Sequence, residues 1–331
     1  QSLPCSPFMK AIQLQAVQTL ACIQTPLPEV RPGEVLLRVK TCALCRTDAK
    51  MWRQGHRDLI LPRVLGHEIC GEIKDVRGLF VVWPGASCGT CPACISGSEN
   101  LCAQMRISGF HRDGGLAEYV AVPEPSLIRT PSDLAPEIAC LAEPLACALN
   151  ALELADVAPG EHVLIYGAGP VGLLMALAAR SLEAFPLLAE KDPRKLRLSA
   201  RFRSAAGITA DQETQRIDFD VVINAAPALD PFTDGIQRLR SGGRYCLFSG
   251  LPSEDSIGAH LLNEIHYRQL RCVGAYGCTR RQMEKALILL RTHAAAVSCL
   301  IQERIPLETV QAAFPRMLDG HALKLIVHPN P

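Results

Sequence analysis

The spacing of apolar positions changes along the chain, and each change predicts a different kind of element. Before about residue 135, apolar residues alternate or cluster as β-branched runs between prolines and glycines, which is typical of an antiparallel β-domain. From about residue 155 to 277, short apolar strand candidates alternate with helical stretches, which predicts a parallel α/β sheet. The runs are AIQLQAV, EVLLRVKTC, EICGEIKDV, LFVVW and AEYVAVP in the first part, and HVLIY, PLLAE, DVVIN and RYCLFSG in the second.

The last fifty residues return to the character of the first part. RRQMEKALILLRTH and LETVQAAFPRML have helical spacing, and LKLIVHP has the pattern of a strand. We therefore predict an α/β protein in which the middle domain is inserted into the first. The expected boundaries are 9–154 with 278–331 for one domain and 155–277 for the other, with residues 1–8 as an N-terminal extension.

The composition and charge of the chain limit the kinds of partner that we expect it to bind. A chain of 331 residues is long for one core, and a formal net charge of +1 argues against nucleic acid or a polybasic membrane contact. No apolar stretch reaches the length of a membrane span, and no secretory signal opens the chain. Fifteen cysteines, many in metal-type spacings, predict a reducing, cytoplasmic setting. We expect six others to be small buried hydrophobic residues: Cys22, Cys70, Cys140, Cys246, Cys272 and Cys299.

The run CGTCPACISGSENLC is the strongest chemical signal in the chain. Its thiols, Cys88, Cys91, Cys94 and Cys102, have the spacing C-x2-C-x2-C-x7-C. Four thiolates that converge on one ion are typical of a closed, structural zinc site. The sequence therefore predicts a zinc lobe at about residues 85–105.

A glycine-rich turn follows the first strand of the middle domain. Gly167, Gly169 and Gly172 form G-x-G-x-x-G between HVLIY and a long apolar helix. In that context the glycines allow a tight turn, close approach of a pyrophosphate and close helix packing. Glu190, 18 residues after Gly172, is placed to accept from the ribose hydroxyls. Its charge favours NAD over NADP, although the cations next to it, including Arg194, soften that preference.

A second, open metal site is predicted in the first domain. Cys45 in CALCRTD and His67 in GHE are ligands of the kind that a catalytic zinc uses. The third ligand is either Glu68, beside the histidine, or Glu143 in LAEPLAC. Asp48 is expected to orient the His67 imidazole. Taken singly, each of these residues has an ordinary structural explanation, and only their joint occurrence points to a metal.

These motifs together resemble the zinc-containing medium-chain alcohol and polyol dehydrogenases, in the sorbitol and threonine dehydrogenase-like branch. The matching segments span residues 9–331 and include PGEVLLRVKTCALCRTD, RVLGHEICGEI, CGTCPACISGSENLC and VLIYGAGPVGLLMALAA. The resemblance implies a GroES-like β-domain plus a doubly wound Rossmann sheet, two zinc ions per chain, NAD and a homodimer or homotetramer. It places cofactor contacts at Arg46, Gly167, Gly169, Pro170, Val171, Gly172, Glu190 and Arg194, and zinc ligands at Cys45, His67, Glu68 or Glu143, Cys88, Cys91, Cys94 and Cys102.

The resemblance also implies a mechanism. Zinc would lower the pKa of a substrate hydroxyl, and hydride would pass to the nicotinamide. Thr47 would take the hydroxyl proton, and Lys50, if desolvated, could end the relay. The substrate is expected to be a secondary alcohol or a polyol, with pocket residues at Trp52, Trp83 and Phe110.

The chain departs from the family pattern at Lys50, where many alcohol-acting members carry a histidine, and at two further places. The segment from Val76 to Phe80 is shorter than is usual in the family. Pro186 falls in the second strand of the Rossmann sheet, where we expect it at the strand start because it cannot donate to a ladder.

Three alternatives remain open. The chain could be a zinc-independent quinone or enone reductase of the same superfamily, a zinc-ribbon interaction protein, or a catalytically inactive protein that senses NAD. The metal-ligand set opposes the first. The absence of a basic patch with interleaved aromatic residues opposes the second.

Overall fold

The computed structural model describes residues 7–251, 254 and 256–330, and the predicted extension therefore lies largely outside the described residues. The described strands are β1 Phe8–Ala16, β2 Thr19–Pro26, β3 Glu34–Ala43, β4 Arg63–Val64, β5 Glu68–Ile73, β6 Val76–Val82, β7 Gly85–Ala86, β8 Arg106–Ile107, β9 Tyr119–Pro123, β10 Leu127–Arg129, β11 His162–Tyr166, β12 Phe185–Ala189, β13 Thr209–Asp211, β14 Phe219–Asn224, β15 Leu239–Leu247, β16 Arg271–Gly274, β17 Ile301–Pro306 and β18 Lys324–His328.

The described helices are α1 Arg46–Gln54, α2 Pro92–Ile95, α3 Pro136–Ala139, α4 Ala142–Leu154, α5 Pro170–Ser181, α6 Pro193–Leu198, α7 Ala200–Ala206, α8 Asp230–Arg238, α9 Ala259–Tyr267, α10 Arg280–Thr292, α11 Ala294–Ser298 and α12 Val310–Leu318. Short 3₁₀ turns occupy Glu99–Leu101, Glu124–Ser126 and Leu307–Thr309. None of the helices in the described ranges is both long enough and apolar enough to cross a bilayer.

The chain divides into two compact units. One contains the residues before Pro144 and after Cys278, and the other is Pro144–Cys278. The division falls at the start of α4, whereas the sequence placed a boundary at the end of that helix. The C-terminal residues share a unit with the N-terminal ones because β18 pairs with β3.

The first unit is built from β-sheets. A seven-stranded sheet has the order β10-β6-β5-β3-β18-β17, with β9 also on β3, and a smaller sheet has the order β2-β1-β4. Between β5 and β6 the short segment noted in the sequence forms a tight hairpin, in which Ile73 pairs with Val76. Asp75 takes a positive φ of 62° there, which Asp tolerates better than most side chains.

The second unit is a parallel sheet with helices between its strands. The strand order is β13-β12-β11-β14-β15-β16, which is the order of the doubly wound nucleotide-binding fold. The central strand β11 has Val163, Leu164 and Ile165 fully buried, as expected for a strand covered on both faces. Pro186 is the second residue of β12, and the pairing of β12 with β13 begins only at Leu187.

The predicted α/β class is confirmed, but several elements were not predicted. The polar helix α1 and the strands β2 and β17 carry no strong periodic signal in the sequence. The cysteine predictions were partly wrong: Cys22 and Cys272 are exposed and Cys299 is only partly buried, whereas Cys70, Cys140 and Cys246 are buried as expected.

Candidate active site

Three of the predicted zinc ligands come together in the first unit. One donor atom each from Cys45, His67 and Glu68 lies within 4.8 Å of the others. His67 is buried, and its Nδ1 faces Asp48 Oδ1 at 3.3 Å. A thiol, an imidazole and a carboxylate are a donor set that zinc accepts. The residues therefore fit the metal that the sequence predicts.

Local backbone geometry positions these side chains. Cys45 is the N-cap of α1, where its Sγ accepts from Thr47 N at 3.4 Å and its own N–H donates to Asp48 Oδ2 at 3.0 Å. This reciprocal cap fixes the start of α1 at the cysteine. Gly66, directly before His67, has a φ of 95°, and a Cβ there would lie 2.8 Å from Cys42 Sγ. Only glycine fits this turn without displacing its neighbours.

Asp48 lies beside the imidazole of His67. It is fully buried, and its Oδ1 accepts from Gly66 N at 3.2 Å and lies 3.3 Å from His67 Nδ1. Burial alone lowers the pKa of His67, but the charges of Asp48 and Cys45 outweigh that effect and raise it well above its ordinary value. The carboxylate of Asp48 is therefore within reach of the His67 ring, where a carboxylate can hold the orientation of a metal-binding imidazole.

The carboxylate of Glu68 binds a buried lysine, Lys324. This lysine was not singled out by the sequence analysis. Lys324 Nζ donates to both oxygens of Glu68 at 2.5 Å, and the two side chains are 3% and 0% exposed. Burial lowers the pKa of Lys324, but the charge of Glu68 outweighs it, so the pKa is raised. The only hint in the sequence is a lysine inside the apolar strand pattern LKLIVHP. The ion pair leaves Glu68 less able to bind a metal than its position suggests.

Glu143, the other candidate ligand, lies in the first turn of α4 and is partly exposed. It does not belong to the group of donors formed by Cys45, His67 and Glu68 among the described residues. It is nevertheless a neighbour of that group. Burial raises the pKa of Glu68, Lys324 opposes the rise, and the negative charge of Glu143 adds to it.

The four cysteines of the predicted structural zinc site lie close together. Their sulfur atoms all lie within 4.8 Å of one another, with Cys91 and Cys94 at 3.5 Å and Cys88 and Cys102 at 3.6 Å. Backbone amides support the sulfurs: Cys91 N donates to Cys88 Sγ at 3.4 Å. Hydrogen bonds from the Thr90 and Cys91 amides lower the pKa of Cys88 to about 6. A low thiol pKa favours the thiolate form that metals bind.

The glycine turn of the second unit joins β11 to α5. Gly167 has a φ of 103°, which suits glycine, and Gly169 is the N-cap of α5, followed by Pro170 and Val171 in the first turn. A Cβ on Gly172 would lie 2.0 Å from Gly167 O, whereas a Cβ on Gly169 would meet nothing within 4 Å. Gly172 is therefore needed for packing, and Gly169 leaves open space at a helix N-terminus that suits a phosphate.

Glu190 reaches back to this turn from the end of β12. Its Oε2 accepts from Ala168 N at 3.0 Å, its Oε1 accepts from Asp192 N at 2.9 Å, and Lys195 Nζ lies 3.6 Å away. Only 8% of Glu190 is exposed. Tyr166, Gly167, Glu190, Lys191, Lys195 and Asp230 are among the residues that line an open cavity of about 480 Å³.

Each of the two arginines that were predicted to contact the cofactor binds a group in its own unit. Arg194 forms an ion pair with Asp192 at 2.9 Å, and Arg46 donates to Leu318 O at 3.1 Å. Thr47 and Lys50 lie three residues apart on α1, hence on one face of the helix. Burial, with the neighbouring charge of Arg46, lowers the pKa of Lys50.

The three predicted pocket aromatics have different surroundings. The ring of Phe110 lies 5.5 Å from the ring of His67. Trp52 is partly exposed, and its ring centroid is 6.0 Å from that of Phe314. Trp83 is 6% exposed, and its ring fills the space beside Gly85. Phe110 is thus the aromatic side chain in direct contact with the candidate zinc ligands.

Comparison with known proteins agrees with this geometry. Residues 31–132 match the alcohol dehydrogenase GroES-like domain. The chain is 30% identical to D-altritol 5-dehydrogenase of Agrobacterium fabrum strain C58, over 93% of this chain and 96% of the relative. It is 28% identical to L-threonine 3-dehydrogenase of Chelativorans sp. strain BNC1, over 97% and 98%.

A solved structure is similar over nearly the whole chain. It is described as a zinc-binding dehydrogenase from Sinorhizobium meliloti 1021 bound to NADP, with a TM-score of 0.86, 28% identity and coverage of 98% of this chain and 100% of that one. The chain belongs to the zinc-containing medium-chain alcohol and polyol dehydrogenases. It is an oxidoreductase that acts on CH–OH groups with a nicotinamide dinucleotide. The family and the fold class predicted from the motifs are confirmed.

Proposed function

We propose that this dehydrogenase oxidises a secondary hydroxyl group of a polyol or of a threonine-like amino alcohol, with NAD as the oxidant. The observation that carries the proposal is the approach of the Cys45 and His67 donor atoms to within 4.8 Å of each other, with the buried carboxylate of Asp48 beside the imidazole. The two relatives are named for position 5 of altritol and position 3 of threonine. Both positions carry secondary hydroxyl groups, which supports this substrate class.

The proposed ligands of the catalytic zinc are Cys45, His67 and Glu143. Glu68 is the weaker candidate because Lys324 binds both of its oxygens. Replacing that ion pair by a metal bond would leave the buried Lys324 ammonium without its partner, which is costly. The second proposed zinc is bound by Cys88, Cys91, Cys94 and Cys102 and serves the fold alone.

The two bound groups would supply the reactive chemistry: zinc lowers the pKa of the substrate hydroxyl, and NAD accepts the hydride. The chain's own residues handle the proton. Thr47 Oγ1 is proposed to accept it, and Lys50, one helical turn further on, to hold it next. Burial lowers the pKa of Lys50, so it releases a proton more readily than an exposed lysine, which supports this role.

The proposed preference for NAD depends on Glu190. Its buried carboxylate is fixed by two backbone amides, so it cannot swing away from a 2′-phosphate without losing both hydrogen bonds. The nearby cations Lys191 and Arg194 form ion pairs with Asp230 and Asp192. A similar protein was solved with NADP bound, so the activities with NAD and with NADP have to be compared directly.

The proposal also covers the substrate pocket, the cellular compartment and the oligomeric state. Phe110, beside His67, and Trp52 are proposed to line the substrate pocket. A reducing compartment such as the cytoplasm is proposed because cysteines gather in clusters of the kind that bind metals as thiolates. A homodimer or homotetramer is proposed from the family alone.

The test measures coenzyme reduction with hexitols, hexonates, L-threonine, simple secondary alcohols and a primary alcohol, each with NAD and with NADP. Cys45→Ser is the active-site variant, and Cys272→Ser, which changes an exposed cysteine away from the predicted metal ligands, is its matched control. Turnover of one secondary-alcohol class with NAD, abolished in Cys45→Ser and retained in Cys272→Ser, is the expected result.

Two outcomes would contradict the proposal. Equal turnover by Cys45→Ser and wild type would exclude a zinc held by that thiol. NAD binding without turnover of any alcohol, in protein that contains two zinc ions, would favour the inactive NAD-sensing alternative.

A further inference from the structure

A pair of cysteines in the Pro144–Cys278 unit belongs to neither predicted zinc site. Cys147 is in α4, and Cys278 directly precedes Thr279, the N-cap of α10. Their sulfur atoms lie within 4.8 Å of each other, although the cysteines are 131 positions apart in the sequence. Cys278 is 4% exposed and Cys147 is partly exposed, so the pair is accessible from one side only.

The segment that carries Cys278 is fixed to the helix that carries Cys147. Asn150, one turn after Cys147 on α4, donates from Nδ2 to Gly277 O at 3.0 Å and to Tyr276 O at 3.5 Å. Asn150 is itself 5% exposed. The two thiols are therefore held near each other by buried hydrogen bonds on adjacent residues, and their proximity does not depend on a loose loop.

The two sulfur atoms decide which ions the pair can bind. Two thiolates select thiophilic ions such as Zn²⁺ or Cd²⁺ over Mg²⁺ or Ca²⁺, which prefer oxygen ligands alone.

We propose that Cys147 and Cys278 form a third metal site, which binds Zn²⁺ through both thiolates. The ion binds as the two thiols lose their protons to solvent, so no oxidant or reductant is required. Because neither thiol belongs to the proposed catalytic site, the experiment follows the thiols and not turnover. Failure of this proposal and failure of the proposed function are then distinguishable.

The test is alkylation of the full chain by iodoacetamide, with both predicted zinc sites already loaded, in the presence and absence of excess Zn²⁺. Peptide mass spectrometry follows Cys147 as the reporter and exposed Cys272, in the same unit, as the control. We expect excess Zn²⁺ to slow alkylation of Cys147 several-fold and to leave Cys272 unchanged. The same rate at Cys147 with and without Zn²⁺ would overturn the proposal.

A variant distinguishes a metal site formed by both thiols from a single reactive thiol at Cys147. In Cys278→Ser the protection of Cys147 by Zn²⁺ should be lost, whereas Cys246→Ser, which changes a buried cysteine elsewhere in the unit, should keep it. Protection that persists in Cys278→Ser would refute the dithiol site. If Cys278→Ser does not fold, the zinc content of Cys147→Ser decides: one ion fewer than wild type is expected, and equal content refutes the proposal.

Discussion

Removal of the Lys324 ammonium should destabilise the first unit strongly. Lys324→Met keeps most of the side-chain volume but leaves Glu68, which is fully buried, without the donor that contacts both of its oxygens at 2.5 Å. Breaking a buried ion pair by removing one partner typically costs about 3–5 kcal/mol, because the remaining charge is uncompensated. The assay is urea unfolding of zinc-loaded protein, with the midpoint and the slope both fitted.

Two variants make this prediction specific. Lys10→Met removes a lysine from a pair of similar length, 2.7 Å to Glu308, in which both side chains are about half exposed, so its unfolding midpoint should hardly change. Glu68→Gln added to Lys324→Met removes the stranded charge and should recover much of the lost stability. The reasoning is refuted if Lys324→Met unfolds at the wild-type midpoint, or if Glu68→Gln gives no recovery.

Three further predictions concern the other sites. Gly172→Ala should lower thermal stability, because its Cβ would meet Gly167 O at 2.0 Å, whereas Gly169→Ala should keep stability and weaken NAD binding, as measured by fluorescence titration. Asp48→Asn should lower zinc affinity about 10–100-fold in chelator competition, because an amide has one acceptor for the two backbone N–H groups that the carboxylate binds. Cys88→Ser should reduce the zinc content by one ion per chain and expose the zinc lobe to proteolysis, since a structural zinc contributes folding free energy directly.

The parts of the site that the sequence predicts are those whose ligands are close together in the chain. The cysteine run and the glycine turn each lie within fifteen residues, so spacing alone specifies their geometry. Lys324 and Glu68 are 256 residues apart, and they meet because β18 and β5 both pair with the end of β3. Ala43 is the common partner of Glu68 and Ile326 in that register. Such a contact follows from sheet topology, which periodicity in a single sequence does not specify.

The charges around the candidate zinc site explain why a buried lysine is favourable beside Glu68. A thiolate from Cys45 and one carboxylate from Glu143 would balance a divalent ion, and Asp48 is compensated by backbone amides and by His67. A second uncompensated carboxylate at Glu68 would then leave a net negative charge in a buried environment, which is unfavourable. Lys324 neutralises it. Glu68 can thus remain beside the metal as part of a neutral pair, and we infer that it supports the electrostatics of the site without being a permanent ligand.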